Sequence, residues 1–272
     1  MPYADNNGIK IHYQVGGHGN PLMLVHGFGG SLSNWIESGY TEELSKDRRL
    51  ILVDVRGFGD SDKPHDSSDY SFQNLVADLI AVLDKLKIGK TDYFGYSMGG
   101  RIGFRIPIYA PQRFNSLIIG GAAYPITGEE DASDGALTFI DQTIEVAIKE
   151  APHKPMEFFV MAFEKRMGLL SQSRKNLFLA NDPLALLASI RAFRGAVSPK
   201  SEEVLPKIAL STLLFVGEAD PRFQTLKECA SRIPAAKFVS LPELDHVQAG
   251  SRADLVLPHI KRFLDESGLD IY

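Results

Sequence analysis

Ser97, Asp220 and His246 are the residues whose types and surroundings best fit covalent chemistry. A serine hydroxyl is a poor nucleophile until a base takes its proton. The base in turn needs a carboxylate to fix its tautomer and to stabilise its charge. Ser97 stands in Gly95-Tyr96-Ser97-Met98-Gly99, after a strand-like run and before a helix-like one. The G-x-S-x-G pattern presents a serine on a sharp, strained turn, where side chains at the glycine positions would strike neighbouring backbone. A serine so presented attacks acyl carbonyls, and the intermediate carries negative charge on the former carbonyl oxygen. Preorganised donors must meet that charge, and the backbone N–H of Met98, next after the serine, is one of them.

Open α/β sheets hold their sites just beyond the carboxyl ends of strands. Asp220 follows the apolar run Leu213-Leu214-Phe215-Val216 through the link Gly217-Glu218-Ala219. His246 follows the strand-like stretch 237–241 through Pro242-Glu243-Leu244-Asp245. Two other carboxylates compete for the acid's role, Glu218 in the same loop and Asp245 beside the histidine. Adjacent residues rarely turn their side chains toward each other, which weakens Asp245.

The elements that must position these groups alternate along the chain. Tyr3 to Tyr13 reads as a hairpin about Asn7-Gly8, a pair that favours a tight primed turn. Short continuous apolar runs follow at Leu22-Met23-Leu24-Val25, Leu50-Ile51-Leu52-Val53, Tyr93-Phe94, Leu117-Ile118-Ile119 and the run before Asp220. Buried parallel strands look like this because helices cover both faces. Residues 71–87 carry Phe72, Leu75, Val76, Leu79, Ile80, Leu83 and Leu86 at helical spacing, with Ser71 as N-cap and Gly89 as stop. The expected class is therefore α/β, a mostly parallel central sheet with helices on both faces. From about Tyr124 to Ser198 the alternation breaks. That stretch predicts helices over 136–150, 155–167, 171–180 and 183–194, punctuated by Gly128, Pro152, Pro155, Asn181-Asp182-Pro183 and Gly195. It reads as a helical cap, 124–198, inserted into a core formed by 1–123 and 199–272.

The chain has 272 residues, 44% hydrophobic and 23% charged, with a net charge of −5. These values suit one globular unit with an insertion, and scattered basic residues give no nucleic-acid footprint. No apolar run approaches the roughly 20 residues of a membrane span. The first residues show no basic region followed by an apolar one, and the lone cysteine, Cys229, forms neither an internal disulfide nor a metal cluster. The expectation is a cytoplasmic protein, monomer or homodimer, that acts on a small molecule and makes no contact with membrane or nucleic acid.

With these residues in view, the chain resembles the α/β-hydrolase superfamily, of the cap-bearing serine esterase and lactonase type. The resemblance spans nearly the whole chain. It rests on His26-Gly27-Phe28-Gly29-Gly30, on Asp54-Val55-Arg56-Gly57-Phe58-Gly59-Asp60-Ser61, on the Ser97 turn, on Gly217-x-x-Asp220 and on Asp245-His246, in that order. It implies a Ser97–His246–Asp220 triad and a second oxyanion donor at the N–H of Phe28. Related enzymes sometimes carry the acid after the strand before the cap, but Gly120-Gly121-Ala122-Ala123-Tyr124 has no carboxylate, which favours Asp220. The implied activity is hydrolysis of esters or lactones of small to medium apolar acyl compounds, with no metal or organic cofactor. Two alternatives share the triad: a hydrolase of carbon–carbon bonds in ring-fission products, and a ligand receptor. Haloalkane dehalogenases and epoxide hydrolases place an aspartate where Ser97 stands.

The remaining polar residues have blander readings. His12, His18, His65, His153 and His259 have no motif around them and are expected to be solvated, whereas His26 is expected to tie turns together. Asp54 is expected to fix its loop alongside Arg56. Trp35 reads first as an anchor, yet it and Met161 are carried as substrate-contact candidates. Met156, Phe158, Phe159, Met161, Phe163 and Met167 in the insertion suggest a largely hydrophobic, adaptable pocket.

Overall fold

The computed structural model describes residues 2–126 and 134–269. Strands β1 (Tyr3–Asn6) and β2 (Ile9–Gly16) make the hairpin, and Asn7 and Gly8 both take positive φ, 53° and 86°, as a primed turn requires. Six strands follow: β3 (Asn20–Val25), β4 (Arg48–Val53), β5 (Thr91–Tyr96), β6 (Phe114–Gly120), β7 (Ser211–Gly217) and β8 (Ala236–Leu241). They form one sheet in the order β1-β2-β4-β3-β5-β6-β7-β8. Pairing is antiparallel at β1/β2 and β2/β4 and parallel throughout the rest.

Alternate residues of each central strand face opposite layers, as a period of two dictates. Met23, Val25, Ile51, Val53, Tyr93, Leu117, Ile119, Leu214 and Val216 join one core, and Leu22, Leu24, Leu50, Leu52, Phe94, Ile118, Leu213 and Phe215 join the other. The apolar runs are continuous because both faces are buried.

Helices α1 (Ser33–Glu37), α2 (Tyr40–Leu44), α3 (Phe72–Lys85), α4 (Met98–Gly103) and α5 (Ile106–Tyr109) lie between β3 and β6. Between β6 and β7 run α6 (Asp134–Glu150), α7 (Pro155–Met167), α8 (Gln172–Leu179), α9 (Pro183–Gly195) and the short α10 (Ser201–Val204). Helix α11 (Phe223–Arg232) precedes β8, and α12 (His246–Ser251) and α13 (Ala253–Leu269) follow it. Ser71 caps α3 by accepting from the Asn74 N–H at 3.2 Å. The helix stops earlier than Gly89 suggests. Lys87 takes the left-handed position (φ 55°), with Ile88 N bonded to Leu83 O and Lys87 N to Asp84 O, a Schellman wrap.

The four long helices of the insertion match their expected spans to within about two residues. Gly128, expected as a break, lies outside the described residues. Pro155 and Pro183 occupy first helical positions, and Asp182 caps α9 by accepting from Leu184 N and Ala185 N at 2.9 Å each. Phe159, Phe163 and Phe178 pack as an aromatic trio with centroids 5.4–5.8 Å apart. The two ends of the insertion meet at Arg105. Its guanidinium lies 4.6 Å from the Phe72 ring and 4.3 Å from the Tyr124 ring and donates to Ser198 Oγ at 2.5 Å, while Tyr124 OH donates to Pro199 O at 2.8 Å.

Candidate active site

Ser97 sits at the junction of β5 and α4 with φ 55° and ψ −110°, a left-handed conformation that costs a non-glycine residue about 1–3 kcal/mol. The surroundings hold it there. Ser97 N donates to Gly120 O at 2.8 Å, Gly99 N to His26 O at 3.1 Å, and Tyr93 OH to Gly99 O at 2.6 Å. The flanking glycines are a steric necessity. A Cβ on Gly95 would lie 2.4 Å from Gly99 O, and one on Gly99 would lie 2.1 Å from Val25 O. Met98 opens α4, so its N–H has no partner within the helix. The Phe28 N–H belongs to a turn closed by its neighbours, Gly30 N to Gly27 O at 3.2 Å.

His246 is the first residue of α12 and is held by its predecessor. Asp245 accepts from Val247 N and Gln248 N at 2.8 Å, and Gln248 Oε1 accepts from Asp245 N at 3.0 Å, a complete capping box. That role occupies Asp245 and keeps it from orienting the neighbouring imidazole. His246 Nε2 lies 3.0 Å from Ser97 Oγ, and Nδ1 lies 2.6 Å from Asp220 Oδ2. The other Asp220 oxygen accepts from Arg222 N at 2.9 Å and from Arg222 Nη1 at 3.1 Å. Glu218 is exposed two residues earlier. The structure thus brings together Ser97, His246 and Asp220.

The electrostatics suit a base that is neutral near pH 7. Burial holds the His246 imidazole below its ordinary value; the hydrogen bond to Asp220 pulls upward, while the Arg222 and Arg174 cations push it down again. For Asp220, burial favours the neutral acid, but the His246 hydrogen bond and Arg222 outweigh it and keep the carboxyl below its usual range. An ionised Asp220 accepts from Nδ1–H, which leaves Nε2 free to take the serine proton.

Two residues that shape this site have no motif of their own. Tyr96 precedes the serine, donates its hydroxyl to His246 O at 2.5 Å and places its ring 5.4 Å from the imidazole. Arg222 lies 3.4 Å from His246 Nδ1 as well as against Asp220. The only sequence signal for Arg222 is its place two residues after an aspartate, where its backbone N–H closes an Asx turn.

The loop beneath the serine differs from expectation in two respects. His26 does tie turns together: Nδ1 lies 2.8 Å from Gly27 O, and Nε2 accepts from Val55 N at 3.1 Å. Asp54 accepts from Leu32 N at 2.7 Å and Asp60 N at 3.0 Å. Its side-chain neighbour is His12 rather than Arg56. His12, expected in solvent, is 1% exposed with Nδ1 2.7 Å from Asp54 Oδ2, because the 54–62 loop folds over β2. Arg56 makes a two-point pair with Asp78 on α3, at 2.6 and 2.5 Å. His12, Asp54 and Asp60 bring ligand atoms within 4.8 Å of one another, but the Asp54 oxygens are committed to these loops. His18, His65 and His153 are exposed and His259 is half-buried.

A cavity opens beside Ser97 and His246, and its walls include Trp35, Tyr96, Arg174 and Phe178. A second, smaller cavity also borders Phe28 and Ser97 and reaches Arg101, Leu137, Phe193 and Arg222. Trp35 is both anchor and wall, 4% exposed with its ring 4.5 Å from Phe94. Met161 is corrected: it is 65% exposed on α7 and lines neither cavity. The largely hydrophobic pocket inferred from the insertion's Met and Phe residues is corrected too. Met156 and Phe159 are buried, and Phe159 and Phe163 pack within the insertion's aromatic trio, while Arg174 and Asn34 stand in the cavity wall.

A strained serine at a strand-to-helix turn, above a mostly parallel sheet and touching a histidine–aspartate pair, defines the α/β-hydrolase class. A family model described as alpha/beta hydrolase fold matches residues 20–249, and the chain belongs to that family. It is similar to the 2-hydroxymuconate semialdehyde hydrolase of Pseudomonas sp. strain CF600, 37% identical over 129 residues, 46% of this chain and 45% of that protein. Among solved structures it resembles the enol-lactonase from Burkholderia xenovorans LB400, with TM-score 0.80, 23% identity and coverage of 97% of this chain and 100% of the other. It also resembles a thermophilic esterase from Thermogutta terrifontis, malate bound, with TM-score 0.78, 24% identity and 98% coverage of each chain. The two structural likenesses show the fold. Among the described residues no helix is long and apolar enough to cross a membrane.

Proposed function

We propose that this protein is a serine hydrolase that cleaves carboxylic esters or lactones through an acyl-enzyme. The observation that carries the reading is the contact of Ser97 Oγ with His246 Nε2 at 3.0 Å, backed by Asp220 on Nδ1 at 2.6 Å. Ser97 Oγ attacks the carbonyl carbon as its proton passes to Nε2. The carbonyl oxygen becomes the oxyanion and is met by the N–H groups of Phe28 and Met98. Collapse breaks the C–O bond, His246 returns the proton to the leaving alcohol, and the acyl group stays on Ser97. Water, deprotonated by the same imidazole, then attacks the ester and releases the acid and the serine. Residues 124–198 act as a cap that walls the cavity, and Trp35 contacts the bound substrate.

Hydrolysis of 4-nitrophenyl esters from acetyl to octanoyl, by the parent and by Ser97→Ala, tests this reading. The parent turns over one or more of them with a chain-length optimum, and the variant loses at least about 10³-fold in kcat. Activity that survives in the variant means that the serine has been misassigned.

The likeness to 2-hydroxymuconate semialdehyde hydrolase supports a second reading, a carbon–carbon bond hydrolase with the same triad. A protein inert to every simple ester but active on a vinylogous diketone acid favours it.

A further inference from the structure

Arg174, on α8, lines the same cavity as Ser97 and His246. Its Nε is buried without any hydrogen-bond acceptor. Among the described residues no carboxylate pairs with its guanidinium, which lies 5.9 Å from the centroid of the Phe178 ring. Asp245, the acidic group whose charge reaches it, is engaged as the cap of α12. Burial disfavours the cation; the Asp245 charge favours it, but no ion pair joins the two. Trp35, another residue of the cavity wall, also has a buried N–H without an acceptor. Arg174 thus brings to the wall of the serine's cavity a cation that no carboxylate among the described residues pairs with.

Resting on the serine-hydrolase reading, we propose that Arg174 receives a carboxylate on the substrate. The ester or lactone opened at Ser97 is then anionic, of the kind formed by a monoester of a short dicarboxylic acid. A guanidinium presents parallel N–H groups that match a carboxylate, so the pairing selects a free acid over its neutral ester.

The test is binding, read without turnover. Calorimetric titration uses N-(4-nitrophenyl)glutaramic acid, an unreactive amide analogue of such a monoester, and its uncharged methyl ester. The Ser97→Ala protein binds the acid about tenfold to a hundredfold more tightly than the methyl ester. Adding Arg174→Gln brings the ratio to within about threefold of one. Arg174→Met repeats the measurement should the glutamine variant fold poorly, and a ratio of two ligands on one preparation is insensitive to its folded fraction. Equal binding of acid and methyl ester by the Ser97→Ala protein overturns the proposal, as does a preference that survives both arginine substitutions. A protein that prefers the acid yet hydrolyses no ester overturns the esterase reading alone. One that hydrolyses esters but shows no preference overturns the carboxylate receptor alone.

Discussion

Tyr96 donates its hydroxyl to the backbone carbonyl of His246 at 2.5 Å and sets its ring against the imidazole, so the residue before Ser97 braces the residue that would take the serine proton. Tyr96→Phe keeps the ring and removes the brace. We expect kcat for a 4-nitrophenyl ester to fall about tenfold with KM little changed, because misaimed groups cost rate more than binding. A rise in KM at constant kcat contradicts this role.

The environment of His246 sets the pH dependence. In the proposed mechanism the neutral imidazole is the active form, and burial with two nearby arginines holds its pKa down. Activity is therefore lost as pH falls through the folded-state value. The acid limb of kcat/KM has its midpoint below about 6.5, with a plateau through pH 7–8. A midpoint at 7 or above contradicts the arrangement.

Arg222 offers a graded version of that test. Its cation disfavours the imidazolium, so Arg222→Gln shifts the acid limb to higher pH while Asp220 keeps its bond from the backbone N–H at 2.9 Å. Titration of the His246 ring by NMR in parent and variant reads the shift directly. An unchanged or lower value shows that Arg222 does not tune the base.

At the turn itself, Gly99→Ala places a Cβ 2.1 Å from Val25 O and 2.8 Å from Val25 C. Strand backbone cannot give way there, and we expect a loss of about 3 kcal/mol in urea unfolding together with most of the activity. Gly89→Ala, with open space around the added carbon, stays within about 0.5 kcal/mol. Equal stability of the two variants contradicts the packing described for the turn.

Where sequence and structure agree, the reason is local. Strands buried on both faces show as unbroken apolar runs, Ser71 and Asp182 announce helix starts by their own side chains, and Asn7-Gly8 announces its turn. Ser97, Asp220 and His246 were legible because each lies just past a strand end, where an open sheet places its site. What was missed depends on how distant segments dock. His12 occupies an unremarkable alternating strand and is buried only because the 54–62 loop crosses it. Arg174 and Met161 both lie in the insertion, yet one reaches the cavity and the other solvent, a choice made by how α7 and α8 pack on the core. Arg56 finds Asp78 across 22 positions, which no spacing rule foretells.

In the proposed mechanism everything turns on Ser97 being the activated nucleophile. The direct measurement is reaction with an alkyl fluorophosphonate, followed by intact-mass and peptide mass spectrometry beside residual esterase activity. One adduct per chain is expected, carried by Ser97, forming in step with the loss of activity, absent from Ser97→Ala and strongly slowed in His246→Ala. Full activity after treatment, or inactivation with the adduct on another residue, would contradict that mechanism.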